Sequence, residues 1–228
     1  MQDTPLTEAC ALFAGDILGP EQVGRALGAD PASLAAAEPR MLSAVPYDME
    51  TLRAARDRRE LLVFRVPADS SGPLTVLGLY QRFPAGFRQK PMNEGVGYLL
   101  KDEWTLGQEP FAASATCRLE WSLVHKEPIA ATRSLTYELQ ETALSSYAAS
   151  IGLAGQLRRR SAIEIVYDTL LFHRARGLRL LERAWDWSDT MSADGGYMTA
   201  GEFTDAGLQV IGYSGAVRFG TLGICAQH

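Results

Sequence analysis

The chain has 228 residues, 46% of them hydrophobic and 21% charged, with a formal net charge of -5. That composition excludes global disorder, and its acidic balance argues against a general nucleic-acid coat while leaving a local site open. The opening MQDTPLTEAC lacks a basic flank and an apolar run, and no later stretch reaches the roughly eighteen uncharged apolar residues of a membrane span, so a cytoplasmic location without membrane insertion is expected.

Residues 6 to 15 predict a short helix, and residues 19 to 37 predict two more. Pro20 suits a first helical position, Gly28 a close, and Asp30 with Pro31 the next start. This spacing resembles a helix-turn-helix, but Ala32, Ser33, Leu34 and the alanines 35 to 37 offer few donors for base edges or phosphates. Pro39 and Pro46 bracket a linker, so residues 1–45 are expected as a small helical unit and 46–228 as the main domain.

Asp48 to Glu60 reads as a helix capped by Asp48, with Arg53, Arg56 and Arg59 on one face. LLVFRV, residues 61 to 66, is a compact buried strand ended by Pro67. Ser71 ahead of Pro73 predicts the cap of a helix carrying Leu74, Leu77 and Tyr80, with the β-branched Thr75 and Val76 leaving a strand as the alternative. Residues 84 to 95 form an irregular Gly- and Pro-rich loop, and 96 to 100 a further strand.

Trp121, Leu123 and His125 alternate with Glu120, Ser122 and Val124, the period of a strand. Ser134 or Thr136 starts a helix in which Leu135, Leu139, Ala143, Tyr147 and Ile151 return every four residues as an expected buried seam. The longest apolar-periodic run is Ser161 to Trp187. Ser161 with Glu164 spells a capping box, and Ile163, Tyr167, Leu170, Leu178, Leu181 and Trp185 follow at helical returns, with Gly177 placed to bend or split the helix. Residues 188–228 then become Gly-rich, with turns at Asp194-Gly195-Gly196 and Ser214-Gly215 between short strands. The expected class is α+β: a mixed or antiparallel sheet against a pair of amphipathic helices, with a helical N-terminal unit and a Gly-rich β segment.

Chemistry is harder to place. Cys10, Cys117 and Cys225 are too dispersed for a disulfide framework or a zinc site and read as small buried hydrophobes. No P-loop, dinucleotide turn or nucleophile elbow occurs, and neither cofactor nor metal is expected. The strongest signal is Arg158, Arg159, Arg160, Arg176, Arg179 and Arg183 beside Trp185 and Trp187. Guanidinium forks suit carboxylates and phosphates, so an acidic protein or a phosphorylated ligand would fit, as would the protein's own acidic segments. The leading expectation is a non-catalytic binding protein using this surface and the aromatic, Gly-rich segment, which would also serve a homo-oligomer. One alternative is a hydrolase with His125 and Asp186 or Asp189 under the 84–95 loop; another is a nucleic-acid-associated protein. Asp186, Asp189 and Asp194 near the tryptophans also have the residue types of a sugar site.

Overall fold

A computed structural model describes residues 3–34, 38–88 and 109–228. The expected strand at 96 to 100 and most of the 84–95 loop lie outside the described residues. The N-terminal part runs β1 (Thr4–Pro5), α1 (Leu6–Phe13), β2 (Ile17–Leu18), α2 (Pro20–Leu27), α3 (Pro31–Leu34) and β3 (Ala44–Val45). Gly28, at φ 70°, closes α2 in the left-handed conformation a side chain would resist. β1 pairs with β3, and β2 pairs in parallel with a strand of the main sheet, Ile17 opposite Leu62. Ala9, Phe13, Val23 and Leu27 share one hydrophobic cluster with that sheet.

Next come α4 (Met49–Asp57), β4 (Glu60–Arg65), the small ladder of β5 (Ala68–Asp69) and β6 (Gly72–Pro73), and α5 (Val76–Arg82). Asp48 caps α4 by accepting from Thr51 N at 2.8 Å. The cap of α5 is Thr75, whose hydroxyl accepts from Gly78 N at 3.0 Å, and not Ser71, because Gly72 and Pro73 are drawn into pairing with Asp69 and Ala68. α6 (Pro110–Ser114) precedes β7 (Glu120–His125), which lies antiparallel to β4, so one sheet has the order β2-β4-β7.

α7 (Tyr137–Ser150) and α8 (Ala162–Arg176) follow. The α7 seam differs from expectation. Gln140, Leu144 and Ala148 are buried, whereas Leu139 is 53% exposed. The two sets of four-residue returns lie one residue apart, about 100° round the helix, and the contact with Ile129, Ile224 and Ala226 selects the set holding Leu144. α8 is the spine: every residue from Ala162 to Phe172 is buried. Its capping box is present, with Ser161 N donating to Glu164 Oε2 at 2.6 Å and Glu164 N to Ser161 Oγ at 3.4 Å. The helix ends at Gly177, φ 71°, short of Trp185.

Trp185 instead opens β8 (Trp185–Met191), which with β9 (Tyr197–Thr204), β10 (Gly207–Tyr213) and β11 (Leu222–Gly223) builds a second sheet in the order β10-β9-β8-β11. β9 passes so close to the 184–185 backbone that a Cβ at Gly201 would lie 2.2 Å from Ala184 O. β11 runs parallel to β8, and the chain beyond it joins the two sheets. His125 N donates to Ala226 O at 2.9 Å, Leu123 N to His228 O at 3.0 Å, and Arg158 and Gln227 exchange both backbone bonds at 3.0 Å. The fold is thus mixed α and β, with helices packed on mixed sheets. Among the described residues no helix is long and apolar enough to cross a membrane.

Candidate functional site

Where the two sheets meet, charge is buried. Arg65, fully enclosed at the end of β4, donates from Nε to Asp168 Oδ1 at 2.8 Å and from Nη2 to Oδ2 at 2.6 Å. Its Nη1 reaches Gln227 at 2.6 Å, Glu120 at 3.0 Å and Glu164 at 3.2 Å. Arg160 joins the same Asp168 Oδ2 at 2.8 Å to Asp186 Oδ2, which accepts from its Nε at 3.0 Å and Nη2 at 2.7 Å. Asp186 Oδ1 accepts from Cys225 N at 2.7 Å. Arg158 grips Glu164 at 2.7 and 3.0 Å.

Burial disfavours the charged form of Arg65, but Asp168 and Glu164 outweigh it and hold the guanidinium above its usual value. Burial likewise pushes the Asp186 carboxyl up, against the pull of Arg160. Ordinary acids and arginines neutralise one another here, leaving their donors engaged. The cluster is a tie between sheets.

Arg159 also turns inward. It donates to Gln140 Oε1 at 3.0 Å, Trp187 O at 3.2 Å and Tyr137 O at 2.8 Å, pairs with Glu141, and lies 3.9 Å over the Tyr137 ring. Trp185 and Trp187 are buried, Trp187 completely. The structure thus separates the sequence-selected binding residues into two groups. Arg159, Arg160 and the tryptophans are interior, with Arg158 half-exposed beside Glu164. Arg176 ends α8, and Arg179 and Arg183 lie on the irregular segment after Gly177.

His125 has other partners than the expected acids. Its Nδ1 lies 3.2 Å from Ala226 O, and a carbonyl only accepts, so Nδ1 carries the proton in the neutral ring. Nε2 then accepts from the Tyr147 hydroxyl at 3.1 Å. Beyond it, 3.6 Å away, is Glu60 Oε1, a fully buried carboxylate that also receives Arg58 Nε at 2.6 Å and His228 Nε2 at 3.0 Å. Asp186 is committed to Arg160, and Asp189 is exposed on β8 with its backbone bonded to Arg160 O. The structure therefore brings His125 to Glu60 and Tyr147. Burial and Glu60 raise the Tyr147 hydroxyl, keeping it a donor and not a nucleophile. Glu60, 65 residues from its nearest histidine in sequence, carried no spacing signal.

An open cleft lies elsewhere. A cleft of about 530 Å³ lies between residues 126–133 and 178–184. Phe172, Leu180, Leu181 and Ala184 give it a buried apolar floor, and Leu178, 63% exposed, forms a lip. Lys126, Arg133, Arg179 and Arg183 line it against Asp16, Glu127 and Glu182. Lys126 pairs with Asp16 at 2.8 Å, Arg133 with Glu127 at 3.9 Å, and Arg179 with Asp205, 95% exposed, at 2.6 Å. Arg183 makes no ion pair among the described residues. Leu181 holds φ 58°, a conformation that costs a branched side chain about 1–3 kcal/mol and concentrates at functional segments. No group of three or more metal-ligating side chains occurs among the described residues.

Compared with protein-family models, with curated proteins and with solved structures, the chain has no match in any of the three.

Proposed function

We propose that the protein is a non-catalytic binding protein whose cleft between residues 126–133 and 178–184 takes a small amphipathic anion, an apolar body carrying one carboxylate. The observation that carries this reading is the pairing of an apolar floor with a cationic rim in which Arg183 has no ion-pair partner among the described residues. The volume lies within the range of about 300–1,000 Å³ usual for small-ligand sites. Four cations face three acids along the lining, and each rim pair joins a half-buried arginine to an exposed carboxylate. Exposed pairs contribute only about 0–1 kcal/mol, so a ligand carboxylate competes for Arg133 and Arg179 at little cost. The arginines sealed between the sheets keep the scaffold rigid and leave the recognition of external anions to the 179–183 segment.

Titration calorimetry with octanoate, octanol and octylamine tests the reading. Octanoate binds, octanol binds more weakly, and octylamine does not bind. Removing two methylenes to give hexanoate weakens binding about tenfold, from about 0.8 kcal/mol per buried methylene. Arg183→Glu abolishes the preference for the acid. Equal affinity for octanoate and octylamine, or an unchanged preference in Arg183→Glu, refutes it.

A further inference from the structure

A second cleft, of about 330 Å³, lies on the far sheet between Thr136, Tyr137 and Glu138 at the start of α7, Tyr197 of β9, and the turn at Gly215 and Ala216. Its wall is an aromatic stack. The rings of Tyr137 and Tyr197 lie 3.6 Å apart and within 7° of parallel. Two groups cannot share one ring face at such distances, so the Arg159 guanidinium, 3.9 Å from the Tyr137 centroid, occupies the other side. Trp187 meets Tyr137 edge-on at 5.3 Å. Tyr137 is thereby held from three directions, and Tyr197, half-buried, closes the stack at the cleft.

Among the described residues, the side-chain polar groups around this platform are unengaged. The Thr136 side chain makes no capping bond, and the Tyr137 and Tyr197 hydroxyls and the Glu138 carboxylate have no hydrogen-bond or ion-pair partner among the described residues. The charges decide the ligand class. Glu138 disfavours an anion, and the positive end of the 14-residue α7 disfavours a cation. A ligand with no net charge, one flat apolar face and hydroxyls around its edge meets every requirement: C–H groups against the tyrosine face, and hydroxyls shared among Thr136, Glu138 and the phenols. The volume suits one ring and not a chain of them.

We propose that this cleft binds a single neutral saccharide ring, stacked on the Tyr137–Tyr197 pair and hydrogen-bonded by Glu138. Trp185 and Trp187, the sequence candidates for such a role, lie beneath the platform as its support.

Saturation-transfer NMR on the full chain, with methyl β-glucoside, methyl α-mannoside and N-acetylglucosamine each at about 10 mM and choline as the cationic control, tests it in the weak-affinity range. At least one sugar receives transfer, strongest at the C–H protons of one ring face, and choline receives none. Tyr197→Ala weakens binding about tenfold, whereas Tyr197→Phe stays within about threefold. Glu138→Ala, an exposed change that spares the stack, also weakens binding. Thermal unfolding confirms that each variant is folded, and Arg183→Glu, in the other cleft, leaves sugar binding unchanged. Absence of transfer to all three sugars, transfer to choline instead, or wild-type binding by Tyr197→Ala and Glu138→Ala overturns the proposal.

Discussion

Replacing Asp168 by Asn changes almost no volume but tests the tie between the sheets. The wild-type carboxylate accepts three bonds, from Arg65 Nε and Nη2 and from Arg160 Nη1. An asparagine has one acceptor and one donor end. Turned one way, its NH2 faces two guanidinium donors; turned the other, it faces one. At least one buried charged donor therefore loses its partner, and both arginines lose the counter-charge they share. Losing one hydrogen bond to a charged group costs about 1.5–3 kcal/mol, and breaking a buried ion pair about 3–5 kcal/mol. Against a total stability of about 5–15 kcal/mol the larger figure is a substantial fraction. In a chain of this size it lowers Tm by roughly 6–20 °C. Urea unfolding followed by tryptophan fluorescence reads the change, because Trp185 and Trp187 lie in the sheet that Arg160 anchors. Asp205→Asn is the control: it removes the exposed partner of Arg179 and should cost no more than about 1 kcal/mol. A loss below about 1 kcal/mol for Asp168→Asn, equal to the control, would refute the claim that buried charge joins the sheets.

Acid is expected to loosen the fold through Glu60 and His125. Burial holds His125 below its ordinary value against the pull of Glu60, so its contribution is intact above about pH 6.5 and is lost as pH falls toward the lowered folded value. Burial also acts to raise Glu60, yet bonds from His228 and Arg58 outweigh it and leave the carboxyl low; its contribution is intact above about pH 4.3 and lost as pH falls through the folded value. The urea midpoint should decline in two stages, and His125→Gln should flatten the first; a wild-type midpoint constant across that first stage contradicts the assignment. At the α5 cap, Thr75→Ala should cost about 1 kcal/mol and Ser71→Ala less than about 0.5 kcal/mol in the same unfolding assay, with equal costs counting against Thr75 as the cap.

Local signals were legible in sequence where a few adjacent residues define the geometry. Ser161 with Glu164, Asp48 as a cap, and the alternation through Glu120–His125 depend on hydrogen bonds or pleats spanning four to seven residues, and the corresponding elements formed there. The buried face of α7 is not legible in sequence because two sets of residues return at the same period, and contact with Ile129, Ile224 and Ala226 chooses between them. Gly177 was visible as a break, but the apolar rhythm ran on into β8 because Leu178, Leu181 and Trp185 keep helical spacing by coincidence. The inward turn of Arg159 and Arg160 was not legible, since Asp168, Asp186 and Gln140 become their partners only after the sheets are assembled. The open clefts are equally non-local. Lys126 and Arg183, or Tyr137 and Tyr197, carry no mutual signal along the chain.

The contact between Arg65 and Gln227 spans 162 residues. During synthesis β4 emerges with a cation at its end, yet an amide that completes its shell is made 162 residues later. The first sheet must wait in a partly solvated form, since closing the charged centre without that strand leaves donors of Arg65 unanswered. Closure across so long a loop makes a slow step, with β7 unpaired along one edge until residues 226–228 arrive. A nascent chain stalled before those residues would therefore be the form most exposed to wrong pairing and in greatest need of a chaperone.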